Sequence, residues 1–261
     1  MADVKNILVG AAQLFVSRGT GINRPVTKPG TQSSGTAKGD INWTSTQSAK
    51  SYLQGSSASP YWRDVGYTNN GLEISYEPGY NDVMVDQLLD AARLFKSTLK
   101  VLLTTELTES TLENVNLAFG QTETQLTWSV TGTASTTTVL NYDGSTATTP
   151  SATLAIAAGA LGDAPVERTI VAVGNAPYHF GTTGSSYGTA STTALGSDVS
   201  SPNKERVYVA RRVVQIQSTA HGLKRDSATV FPVQFRCLPD DNDLYDGAEY
   251  GVIIDRVFTT A

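Results

Sequence analysis

The chain is poor in the residues that most often carry chemistry. Its 261 residues include one cysteine, Cys237, and two histidines, His179 and His221. A single cysteine excludes an internal disulfide, and its apolar setting in VFPVQFRCL reads as a small buried hydrophobe rather than a reactive thiol. Zinc sites need His and Cys in pairs at short spacing, and no such pair occurs. There is no Walker loop, no His-Glu-x-x-His and no Gly-x-Ser-x-Gly. Long apolar runs are also missing. The longest, from Leu154 to Leu161, is rich in Ala and Gly and far too short to span a bilayer. The start of the chain has an apolar core at Ile7–Val16, but Asp3 precedes the lone Lys5, so a first strand is a better reading than a signal peptide. Charge is scarce, at 16% with a net −5, which removes the basic face that phosphate contacts require. Arg211-Arg212 and Lys224-Arg225 are too few to supply one.

Ser, Thr, Gly and Asn fill the space that these absences leave. With 39% hydrophobic residues, this is the composition of a β-rich protein with long polar loops. The chain turns on Ser97–Gly120. Leu99, Val101, Leu103, Thr105 and Leu107 alternate with Lys100, Leu102, Thr104 and Glu106, the mark of a strand with one face in a core. Ser110 stands three residues before Glu113, which predicts a capping box and a short helix over about 109–119. Leu112, Val115 and Phe119 follow at helical spacing as its docking face, and Gly120 stands where a left-handed residue ends a helix. A helix this short must lie on a sheet to be stable.

The remaining chain reads as strands and loops. A polar segment at about 18–60 is too long for an ordinary connection and is expected to be an arm. Its aromatics, Trp43 and Tyr52, either pin the arm to its own domain or anchor it on a neighbouring subunit. Together with Tyr61 and Trp62 they are the candidate subunit-interface residues. Tyr61–Tyr76 reads as a hairpin turned at Asn70-Gly71, and Pro78-Gly79 is expected to break the strand that follows. Residues 83–96 fit an amphipathic helix, with a strand and loop as the alternative. Further strands are expected near 126–130, 136–142, 152–157, 168–173, 206–217, 228–238 and 250–257. Between them, 181–203 is a Ser/Thr/Gly-rich surface loop. One reliable helix among this many strands predicts a mainly β chain, a barrel or sandwich in a single domain over 1–261.

No constellation supports an enzyme. The acidic stretch 239–251 fails the calcium-loop pattern, because Tyr245 falls at position five and Asp246 where the glycine belongs. Asn42-Trp43-Thr44 matches a glycosylation triplet, which carries no meaning without secretion. Glu106 and Glu109 read as cap and surface charge. No metal and no cofactor is expected.

Several stretches together resemble the major tail tube proteins of long-tailed bacteriophages. NILVGAAQLFVSRGTG is similar to their first strand, and YWRDVGYTNNGLEISYEP to their early hairpin. The segment from Val85-Asp86-Gln87 through TELTESTLENVNLAFG resembles their core strand and helix. ERTIVAVGNAP and FRCLPDDNDLYDGAEYGVIIDRVF resemble their late strands. The resemblance implies a tail-tube-type β-barrel or sandwich with one flanking helix, with 83–96 extended rather than helical. It implies a structural subunit that self-assembles into stacked hexameric rings around a lumen that passes DNA during ejection. Its partners would be further copies of itself, a tape measure protein inside the tube, and the tail terminator and distal tail or baseplate proteins. DNA would transit without specific binding, with no membrane involved. The location would be the virion, after assembly in the host cytoplasm. A virion or cell-surface binding module, such as an adhesin or capsid decoration protein, is the alternative from a different class. A β-sandwich hydrolase is weaker, for want of a nucleophile.

Overall fold

The computed structural model describes residues 10, 12–18, 48–54, 62–84, 93–129, 151–176, 204–220, 222, 229–240 and 247–258. Trp43, Tyr61, the strand expected at 136–142 and the loop at 181–203 lie outside these residues, as does most of the arm. The described elements are β1 (Gln13–Ser17), α1 (Ala49–Gln54), β2 (Trp62–Asp64), β3 (Thr68–Val83), β4 (Arg93–Leu107), α2 (Leu112–Ala118), β5 (Leu126–Ser129), β6 (Ser151–Leu154), β7 (Glu167–Asn175), β8 (Lys204–Gln215), β9 (Phe231–Leu238) and β10 (Gly251–Val257). The protein is mainly β and antiparallel, with few helices. The chain forms two compact units, one of 1–68, 168–211 and 240–261, the other of 69–167 and 212–239.

In the first unit β1 pairs antiparallel with β2 on one side and β7 on the other. Both of its edges are therefore satisfied, and Leu14, Phe15, Val16 and Ser17 are all buried. A strand covered on both faces reads as an unbroken apolar run rather than an alternation, and Arg168–Val173 in β7 is buried in the same way. β10 lies antiparallel to β8 from Gly251↔Ala210 to Val257↔Lys204. A Cβ on Gly251 would fall 2.1 Å from the Val209 carbonyl oxygen, so only glycine fits there. The core joins Phe15, Trp62, Val171, Val173, Val207 and Val209 with Ala49 and Leu53 of α1.

The sequence pattern gives no sign of α1, which is only six residues long. Ser48 caps it, its Oγ accepting from the Ser51 N–H at 3.0 Å. The Ala49 N–H donates to Glu205 Oε1 at 2.8 Å, and Glu205 pairs with Arg256 at 2.8 Å, both side chains being buried. Burial raises the Glu205 carboxyl above its ordinary range, against the opposing pull of the Ala49 N–H and of Arg256. Burial likewise lowers Arg256, against the attraction of Glu205. In both partners desolvation outweighs the attraction, so the pair fixes α1 in place more than it adds net stability.

In the second unit β4 pairs with β9 from Val101↔Cys237 to Leu107↔Phe231. β3 pairs with β4, and the last residues of β8, Arg212–Gln215, pair with Leu238–Phe235 of β9. Leu103, Thr105 and Leu107 are buried against Phe231, Val233 and Phe235, as the alternation predicts, while Val101 is half-buried. β4 leads into α2, also as expected. The cap, however, is Thr111 rather than Ser110: its side chain accepts from the Asn114 N–H at 3.3 Å. The helix is therefore rotated from the predicted face. Asn114, Asn116, Leu117 and Ala118 are buried, whereas Leu112, Val115 and Phe119 are only half-buried. Two amides can occupy that face because each is bonded, Asn114 Nδ2 to the Glu109 carbonyl and Asn116 Nδ2 to that of Thr122. Gly120 does end the helix, at φ 65°. The Gly120 N–H donates to Leu117 O and the Gln121 N–H to Asn116 O, the two bonds of a Schellman closure. α2 packs on β9 and on the two-stranded β5–β6 sheet.

One expectation is overturned, and a second is answered only at its ends. There is no hairpin over 61–76: β2 pairs with β1, and β3 takes β4 as its neighbour instead of β2. The chain bends instead at Val65–Tyr67, where the Gly66 N–H donates to Asp64 Oδ1 at 2.9 Å. Asn70 and Gly71 are left-handed, at φ 60° and 69°, but lie inside β3, which also runs through Pro78-Gly79. Pro78 is tolerated because β3 is the last strand of its sheet. Nor is 83–96 a helix at its ends: Val83 belongs to β3 and Arg93–Lys96 to β4, while 85–92 lie outside the described residues. The two ends are thus extended, as the strand alternative and the resemblance have it.

Candidate assembly surface

β3 and β4 form a long hairpin, anchored at its base by polar side chains. Thr105 Oγ1 donates to the Gly71 carbonyl at 2.7 Å. Asn69 and Asn70 both donate to Glu106 Oε2, at 2.7 and 3.1 Å. Further out, Ser97 Oγ donates to the Gly79 carbonyl at 3.3 Å. Lys96 Nζ lies 5.3 Å from the centre of the Tyr76 ring and donates to its hydroxyl at 3.0 Å, tying the two strands together.

Pairing with β9 stops at Val101, and beyond it no strand among those described other than β3 pairs with β4. Residues 93–98 are all exposed, and no residue of β3 is buried. Leu94 and Phe95 are 62% and 47% exposed. Consecutive strand residues point to opposite faces, so both faces of the distal hairpin present large apolar groups to water. Tyr76, Tyr80 and Met84 extend this surface. The outer edge of β3 also faces no strand among those described. Exposed apolar side chains grouped in this way mark a surface that associating proteins use, although Glu73, Glu77, Pro78 and Asp82 blunt the edge of β3 itself. The loop after β6 carries a smaller exposed pair, Ile156 and Leu161.

Of the expected interface aromatics, the two among the described residues sit elsewhere. Trp62 is buried in the core of the first unit, and Tyr52 is half-buried against that core. The Tyr52 contact fits the reading in which the arm is pinned to its own domain. Trp62 has no surface left to offer a neighbour. Leu94 and Phe95 were missed because the helical spacing of 83–96 gave them to a helix, while nothing in the spacing of Tyr76 and Tyr80 marks them as exposed.

Burial of Cys237 pushes its thiol up to about 12, so it is no nucleophile. Among the described residues no group of His, Cys, Asp and Glu could hold a metal, and no helix is long and apolar enough to cross a membrane. Compared with known proteins, the chain matches no family model and no curated sequence.

Proposed function

We propose that the chain is the tail tube subunit of a long-tailed bacteriophage, a structural protein rather than an enzyme. In this reading six copies close into a ring, and rings stack around a lumen that conducts DNA. The β3–β4 hairpin carries the reading, because its exposed apolar residues and its open edge, uncovered by the described residues, suit contact with another polypeptide. A repeated subunit supplies that cover, and rotational closure turns a head-to-tail contact into a ring instead of an open fibre. The net charge of −5 suits a channel that passes DNA without holding it. The subunit would meet a tape measure protein inside the tube, with terminator and distal tail or baseplate proteins at its ends. It would reside in the virion after assembly in the host cytoplasm. Negative-stain imaging of the concentrated protein tests this. Stacked rings or hollow tubes with six-fold symmetry are expected. A monomer at every concentration, or saturable binding to a cell-surface ligand without self-assembly, would sink it.

A further inference from the structure

Asn70-Gly71 is the one Asn-Gly pair in the chain, and the fold leaves it open to reaction. We infer that Asn70 is a site of spontaneous deamidation, and that its conversion unfastens the base of the β3–β4 hairpin. The Gly71 backbone nitrogen bonds to Asn70 Cγ, and the Cγ–Nδ2 bond breaks. The amide leaves as ammonia, carrying the proton from the Gly71 nitrogen, and a succinimide remains. Water then adds at either ring carbonyl, giving aspartate or, with the backbone rerouted through the side chain, isoaspartate. Water enters and ammonia leaves, with no oxidation or reduction.

Three local features favour the step. Asn70 is exposed, so its amide is reached by water. Both residues have positive φ, which takes the pair out of the regular pleat. Gly71 has no side chain of its own, and nothing lies within 4 Å of where its Cβ would be, so the side of the pair that a Cβ would fill is open. Four other asparagines among the described residues are built differently. Asn114 and Asn116 are buried in α2 with their amides bonded. Asn69 and Asn81 precede Asn70 and Asp82, whose side chains hinder attack.

The product is placed where it does harm. Asn70 Nδ2 donates to Glu106 Oε2 at 3.1 Å. After conversion a carboxylate faces that oxygen, so a donor is lost and like charges are brought together. The isoaspartyl form also adds a methylene to the β3 backbone, beside the bond from Thr105 to the Gly71 carbonyl. This chemistry is independent of what the subunit assembles into.

The test ages the full-length folded chain in mildly alkaline buffer. Peptide mapping with isoaspartyl methyltransferase labelling then locates the product, with Asn70→Gln aged in parallel. Label is expected on the peptide containing residue 70 ahead of every other asparagine, and Asn70→Gln should abolish it. Hydrogen exchange of the aged protein should quicken at 71–76 and 100–105. If a free peptide of sequence TNNGLE takes label while the folded chain does not, the fold protects the site and the inference is wrong. Conversion that leaves exchange unchanged would overturn the claim that it unfastens the hairpin.

Discussion

The two halves of β4 are built from similar residues and have opposite fates. Leu103 and Leu107, near its end, are buried, while Leu94 and Phe95, near its start, stand in water. The difference is not hydrophobicity. Residues 101–107 have β9 alongside, which sets Phe235, Val233 and Phe231 directly opposite Leu103, Thr105 and Leu107. Residues 93–98 have only β3, itself without a buried residue. Two strands alone enclose no core. The same strand thus serves as core in one half and as unmatched surface in the other, and the surface half is where assembly is expected.

The comparison breaks first at the core. Phe235→Ala should cost about 3–5 kcal/mol in denaturant unfolding, the cost of a large buried aromatic. A near-neutral result would mean that the proximal half is no better packed than the distal one. Leu117→Ala should follow at about 2–5 kcal/mol, because Leu117 and not Leu112 or Phe119 faces inward from α2. Greater losses at Leu112 and Phe119 would restore the docking face that the spacing alone predicts. Removing the Thr111 cap with Thr111→Ala should cost about 1 kcal/mol, and Ser110→Ala much less. Equal losses would show the cap to be shared. At the distal end, Leu94→Asp with Phe95→Asp should leave unfolding of the monomer within about 0.5 kcal/mol of the parent, yet abolish rings and tubes in micrographs. Tubes that persist in this variant would place the assembly contact elsewhere. The smallest effect is expected at Cys237, at the end of the β4–β9 seam. With its thiol pushed up to about 12, thiol reagents should modify native protein no faster than it unfolds, even in mildly alkaline buffer. Rapid labelling of folded protein would show that the seam opens readily.

Much of the second unit's core was legible because one covered face writes a period of two into the sequence. That pattern located Leu103, Thr105 and Leu107, and the switch to helical spacing together with Gly120 located α2. The cap was misplaced by one residue, because Ser110 and Thr111 are equally good caps and only the fold chooses between them. Asn70-Gly71 misled for a related reason. Its left-handed backbone was read correctly, but the same conformation serves a turn or a kink within a strand, according to whether the flanking segments pair. Trp62 looked like an interface aromatic because nothing in its neighbours reveals that β1 and β7 enclose it.

By itself the sequence determined the β-rich class, the acidic and histidine-poor character, and the positions where backbone conformation is dictated by residue type, such as Gly120. These follow from local chemistry, which acts within a few residues. Tertiary structure alone decided which apolar residues became core and which surface. That choice depends on partners distant in sequence: β9 for β4, β1 for β2, and Glu205 for α1. Leu103 and Leu94 carry the same side chain, and only the strand lying beside the first makes it a core residue.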